Sequence, residues 1–417
     1  MITATRRAVL LGLSLGVAAA MPVLAEGSLH LAGFGTLSAY RGDDGVASLK
    51  PSERSHNASR DGQWRWDGDS VLGLQLRWSA HEDLELVWQV QARDDLVRRY
   101  RPDTEWAYIG WRPHPSWTLR VGRQPLPVFL DSETTRVGYA RASVRPMPAV
   151  YGLNGSDPSD AVNLNWRGLL LGGDLSLDLG AGGNKTDLPR GRVHTKSSTV
   201  TALRWHRDGL SLRLGAAAFR FDLQEQVLAG QIATLSQAGS ICSNCSQVLP
   251  ERARTSDIRG QLFNVGLVWE HNAWTLSAEA TRRGGNSVFS AEVSGWYAQL
   301  AKRMGPFTPY AAIGESRFHE AALGLQAAPG TPAVAVTALE QFDRVLQSPF
   351  DRRIVQAGVR WDWHEQAALK LQYERWTATR DTSTPRSGQI TLAPPGPGAP
   401  SWDGSANLLT VSLDFVF

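Results

Sequence analysis

Arginine and carboxylate side chains crowd one proline-bearing stretch of this chain. Between 124 and 158 lie Asp131, Glu133, Arg136, Arg141 and Arg145, with Arg123 at the root of the stretch. A second set, Arg77, Glu85, Arg93, Arg120 and Arg213, sits in segments that alternate polar with apolar residues. Fixed guanidinium groups bordering a narrow aqueous passage concentrate anions and slow cations. The first set is therefore a candidate pore constriction and the second a candidate pore wall, with Arg136, Arg141 and Arg145 the expected anion-attracting groups. The alternative chemistry is pairing, in which each arginine meets Asp131, Glu133, Glu85 or Glu105 and only holds the stretch in place. Acids on the same faces, Glu85, Asp174, Asp178, Glu279 and Glu374, offset the arginines and leave a weak lean toward anions.

No Gly-x-Ser-x-Gly elbow, His-Glu-x-x-His helix or phosphate loop is present, so no catalytic residue, metal or cofactor is expected. A membrane barrel acting as an enzyme would need a nucleophile beside a base, and the histidines are scattered. The pairs Asp43-Asp44 and Asp94-Asp95 read as solvated charge or a loose calcium contact. Cys242 and Cys245 are the only cysteines. They are too few for a structural zinc site and lack the setting of a redox motif, so a small loop disulfide is expected. With 43 basic against 40 acidic residues, the formal charge of +3 implies no nucleic-acid partner.

The elements that would position these charges are legible from periodicity. Leu72, Leu74, Leu76 and Trp78 share one face while Gln75 and Arg77 share the other, and Leu84, Leu86, Trp88 and Val90 oppose Glu85, Gln89 and Gln91. Segments of about ten residues repeat this pattern down the chain, which predicts strands that are apolar on one face and polar on the other. They fall at 28–40, 68–79, 83–95, 104–112, 116–123, 159–167, 172–183, 196–207, 210–221, 257–271, 273–284, 291–303, 307–318, 351–363, 367–379 and 404–417. About sixteen strands are expected, an even number, with room for an extra hairpin inside 222–256 or 319–350.

Connections of two lengths take turns. Short ones such as Ala80-His81-Glu82, Arg207-Asp208-Gly209 and His364-Glu365-Gln366 carry turn chemistry, while 41–67, 124–158, 222–256, 319–350 and 380–403 are long. A soluble sandwich has no reason to sort loop length by side, whereas a transmembrane antiparallel β-barrel does. Arg6, Arg7 and the apolar run from Ala8 to Met21 predict a signal peptide over 1–25, cut near Ala25, leaving a barrel domain over 26–417. In a barrel of this size side chains cannot fill the lumen. The loop at 124–158 is stiffened by Pro125, Pro127, Pro146 and Pro148.

Gly27-Ser28-Leu29-His30-Leu31-Ala32-Gly33-Phe34-Gly35-Thr36-Leu37 resembles the first strand of proteobacterial porins. Glu105, Val121-Gly122-Arg123, Gly138-Tyr139-Ala140, Val144-Arg145-Pro146 and Val150-Tyr151-Gly152 resemble the segment around the third external loop in one group of the Gram-negative outer-membrane porin superfamily. The last strand, ending at Phe417, is similar to the signal by which the barrel assembly machinery recognises its substrates. The resemblance implies that the third external loop, 124–158, folds inward and narrows the lumen, and it implies residence in the outer membrane of a Gram-negative bacterium, in contact with lipid and lipopolysaccharide, and a homotrimer. It also implies a channel for passive diffusion of small hydrophilic solutes or ions, or alternatively a substrate-specific channel of the same fold.

Overall fold

Strands that alternate apolar with polar residues can face lipid on one side only if every backbone group is paired within the sheet, which demands closure. The computed structural model describes residues 27–153, 157–319, 323–347, 351–379, 386–387, 390–392 and 401–417; the signal expected over 1–25 lies outside them. Sixteen long strands follow in chain order: β1 (Ser28–Gly42), β2 (Val71–His81), β3 (Leu84–Arg93), β4 (Asp103–His114), β5 (Trp117–Gln124), β6 (Ser159–Leu170), β7 (Gly173–Leu188), β8 (Gly191–Arg207), β9 (Leu210–Gln224), β10 (Ile258–His271), β11 (Trp274–Gly285), β12 (Val293–Lys302), β13 (Phe307–Phe318), β14 (Arg352–His364), β15 (Ala367–Ala378) and β16 (Ser405–Val416). Each pairs antiparallel with the next, and Phe34 of β1 stands opposite both Gly73 of β2 and Val416 of β16, closing the ring. The chain is an all-β transmembrane antiparallel barrel.

The alternating segments of the sequence are these strands, most within three residues at either end. β7 and β8 exceed expectation because they continue as a projecting hairpin, Leu188 opposite Gly191. Outward-facing Leu31, Leu37, Leu214, Phe263 and Val265 are 53–68% exposed, a band that a soluble sandwich would bury and a bilayer covers. Trp117 pairs with Trp166, rings 6.5 Å apart, and Phe307 stacks on Trp361 at the short-turn end, where aromatic side chains meet the interface. The short turns use the expected chemistry: Asp208 and Gly209 take φ of 48° and 79°, the left-handed pair of a tight hairpin.

On the long-loop side, a short helix α1 (Pro148–Tyr151) lies in the infolded stretch. The two loops with room for extra strands hold helices instead: α2 (Gln226–Gln237), α3 (Cys245–Arg252) and α4 (Ala333–Gln347). They share an apolar centre of Ile232, Leu249 and Leu339 with Cys242 and Cys245, whose Cα atoms are 5.5 Å apart across a disulfide. A three-helix cluster buries these side chains without exposing sheet edges, which an added hairpin would have done.

At the seam, Phe417 exchanges backbone hydrogen bonds with Gly33 (2.7 and 3.0 Å), and its ring stacks with that of Phe415 at 6.3 Å. The two rings lie over Gly33 and Gly35, leaving no room for a Cβ there.

Candidate functional site

The loop after β5, described over 125–153, enters the lumen and runs along the inner wall, and glycines mark its track. Gly180 of β7, Gly215 of β9, Gly266 of β10, Gly295 of β12 and Gly314 of β13 all lie on the inward phase of their strands, where polar side chains otherwise alternate. A Cβ at Gly266 would sit 2.7 Å from Leu130, one at Gly180 2.9 Å from Leu126, and one at Gly314 3.0 Å from Ala149 and Met147. At Gly215 and Gly295 it would collide with the carbonyls of Val128 and Ala149. Loop backbone and wall backbone therefore touch directly, which only glycine permits.

Buried polar anchors fasten the loop along the same track. Leu130 N–H donates to Glu279 of β11 (2.9 Å), and Val144 N–H to Gln372 of β15 (2.9 Å). Arg213 of β9 donates to the Pro127 carbonyl at 2.6 Å. Lys370, 1% exposed, donates to the carbonyls of Gly138 (2.8 Å) and Ser143 (3.0 Å) and pairs with Asp414 at 2.8 Å. Arg360 of β14 donates to the carbonyls of Tyr139 and Arg141. Arg145, 5% exposed, makes bonds to Asp69 (2.6 Å), Glu374 (2.5 Å) and Thr410 (2.8 Å). Burial alone would lower the guanidinium's proton affinity, but Asp69 and Glu374 outweigh it, so Arg145 stays charged.

The candidate arginines therefore divide. An anion-attracting role expects guanidinium faces open to water, and Arg136, Arg141 and Arg145 do not present them. Arg136 pairs with Glu105 (3.0 Å) and Asp157 (3.3 Å), and Arg141 turns toward Asp131 (3.7 Å) with only 9% of its side chain exposed. Arg93 joins the same knot, 3.0 Å from Asp95, while Arg213 is a buried anchor. Arg123 lies on the face of β5 that carries Val121, paired with Asp160 across the strands at 2.9 Å, away from the lumen. Its position in the alternation, two residues beyond Val121, already carried that signal. Two pairs remain wet: Arg77 with Glu85 (3.7 Å; side chains 48% and 22% exposed) and Arg120 with Glu133 (3.1 Å; 30% and 51%). Arg120 also lies over the Tyr108 ring, 5.3 Å from its centroid.

Sequence reasoning missed Arg54, whose guanidinium ties Asp95 (2.6 Å) to Asp157 (2.9 Å) and so joins three loops. Burial opposes ionisation of Asp95, yet the Val97 N–H and Arg54 hold its pKa down at about 2, and Asp157 is likewise depressed by Arg54 and Arg136 against burial. A depressed carboxylate contributes stability that is complete above its unfolded value, about 3.9, and lost as pH falls through the folded one. The Arg54–Asp95–Asp157 knot is accordingly expected to hold from pH 7 to 4 and to loosen only toward pH 2. Current noise recorded against pH in a Glu279→Gln background, where that anchor cannot titrate, checks this, and loosening at pH 5 would contradict it.

The loop leaves open space on both of its faces. Toward the short turns lie chambers of about 1210 Å³, bordered by Tyr297, Arg303 and Asp362, and about 640 Å³, bordered by Arg120, Glu133 and Arg204. On the long-loop side a cavity of about 440 Å³ lies between the loop and β7–β10.

Neither a protein-family model nor a curated protein sequence matches the chain. Solved structures do. OmpF of Salmonella typhi, in complex with daunomycin, superposes with a TM-score of 0.58 at 11% identity, covering 93% of this chain and 97% of that one. An anion-selective porin from Comamonas acidovorans gives 0.54 at 11% identity, over 94% and 100%. OmpT, an outer membrane protein of Vibrio cholerae in its in-vitro folded trimer form, gives 0.52 at 11% identity, over 94% and 99%. The fold is the one these Gram-negative outer-membrane proteins share.

Proposed function

We propose that this chain is a porin of a Gram-negative outer membrane, forming a channel for passive diffusion of small hydrophilic solutes and ions, and that it works without catalysis. The supporting observation is the lumen: a closed cylinder with an apolar outer band and an infolded loop that leaves chambers on either side. The sixteen-strand size implies an interior too wide for side chains to fill. The loop then narrows the passage without sealing it, and the wet pairs Arg77–Glu85 and Arg120–Glu133 are among the charges a passing ion meets. Because the pairs are nearly neutral, anion preference is weak. A homotrimer, contact with lipopolysaccharide and recognition of Phe417 by the assembly machinery belong to the same reading.

The test is reconstitution in a planar bilayer. Stepwise currents in KCl support the proposal; detergent-folded barrel that gives none defeats it. A unit charge ~8 Å from the ion path in water is worth about 0.5 kcal/mol. That charge acts with opposite sign on cation and anion, so Arg120→Gln is expected to raise the cation-to-anion permeability ratio about fivefold, read from the reversal potential in a salt gradient, with Glu133→Gln moving it the other way.

A further inference from the structure

The long-loop-side cavity breaks the rule that the inner face of a pore wall is polar. On β9 the inward phase carries Ala217, Phe219 and Phe221, while Arg220 points outward to Asp257. Val200 of β8 and Leu262 of β10 extend the apolar wall, and Leu126, Val128 and Phe129 of the infolded loop close it from below. Leaving such side chains against water costs about 25 cal/mol per Å² of apolar surface, so the wall favours an occupant with an apolar body. At about 440 Å³ the cavity has the volume of a small-molecule site.

One cation on its wall lacks a direct ion pair. Arg283, on the cavity wall, donates through Nη1 to the Leu153 carbonyl, and Glu53 balances its charge only at longer range, with no direct ion pair to Arg283 among the described residues. The other charged groups on the cavity, Arg54 and Asp157, already neutralise each other at 2.9 Å. The site thus combines one guanidinium with no direct ion pair and an aromatic wall.

We infer that this cavity is a binding site for a small monocarboxylate with an aromatic or compact aliphatic body, its carboxylate on Arg283 and its ring against Phe219 and Phe221. The inference deepens the channel reading by naming a solute class that the passage holds on its way through.

Benzoate is the probe, with acetate and benzyl alcohol as the charge-only and ring-only controls. Binding to the folded barrel in detergent is measured by calorimetry, independently of KCl conductance, so a protein that binds benzoate yet carries no current overturns the channel reading alone. Benzoate is expected to bind at least tenfold more tightly than either control and to reduce the KCl current from the long-loop side. Arg283→Gln is expected to weaken benzoate about tenfold. Phe219→Ser, which leaves the Leu153 contact intact, should do the same without changing acetate; correct folding of both is read from heat-modifiable gel mobility. Equal binding of benzoate and acetate, or of benzoate and benzyl alcohol, overturns the inference, as does unchanged benzoate affinity in folded Phe219→Ser.

Discussion

Arg145→Ala is expected to free the infolded loop and destabilise the folded barrel by about 3–5 kcal/mol, the usual consequence of removing one member of a buried ion pair. The arginine bridges Asp69 at the base of the first long loop to Glu374 on β15, and Glu374 is fully buried. Without the guanidinium, Glu374 keeps only the amides of Gln356 (2.5 Å) and Gln372 (3.0 Å), and its charge has no counter-ion. The temperature at which heat-modifiable mobility is lost should fall markedly, and single-channel records should show larger, noisier openings. Neutralising the acids together, in Asp69→Asn with Glu374→Gln and Arg145→Met, should restore much of the loss because no lone charge remains. If Arg145→Ala matches the parent in both melting and noise, the residue does not hold the loop.

The second large effect is steric. Gly215→Leu and Gly295→Val each place carbon where the carbonyl of Val128 or Ala149 now lies, and the wall behind them is a hydrogen-bonded sheet that cannot retreat. Overpacking of this kind costs about 1–3 kcal/mol where side chains can shift, and a backbone-to-backbone contact leaves less freedom. The loop, not the barrel, should yield. Expected results are trypsin cleavage at Arg136 or Arg141, sites protected in the parent, and raised conductance with barrel mobility intact. Gly239→Ala, with open space around it in the helical cluster, is the control. Continued protection of the loop in both variants would mean that it does not lean on these glycines.

What could be read without a structure was whatever depends on one residue and its phase. Alternation in Leu72–Trp78 or Leu369–Tyr373 gives strand, face and register because a membrane strand obeys only two solvents. The helices near Ile232 and Leu339 escaped because loop segments have no such constraint, and their apolar residues cover one another across two separate loops. The arginines divided for a similar reason. Sequence shows that Arg145 is cationic, but its role depends on Asp69, Glu374 and Thr410, which are 76, 229 and 265 residues away. The inward glycines were visible as breaks in polar alternation, a signal that phase analysis of Gly215, Gly266 and Gly295 would have extracted.

The infolded loop also spans the place where the cylinder joins itself. Gly138 sits against Thr36 of the first strand and Asp414 of the last, which are themselves bonded at 2.5 Å, and Lys370 gathers Asp414 and two loop carbonyls from the neighbouring strand. Docking of this segment must then follow zipping of the terminal strands, since its binding surface is built from both of them. A barrel caught half-zipped would lack its internal obstruction, so assembly quality and leak resistance are set by the same few contacts.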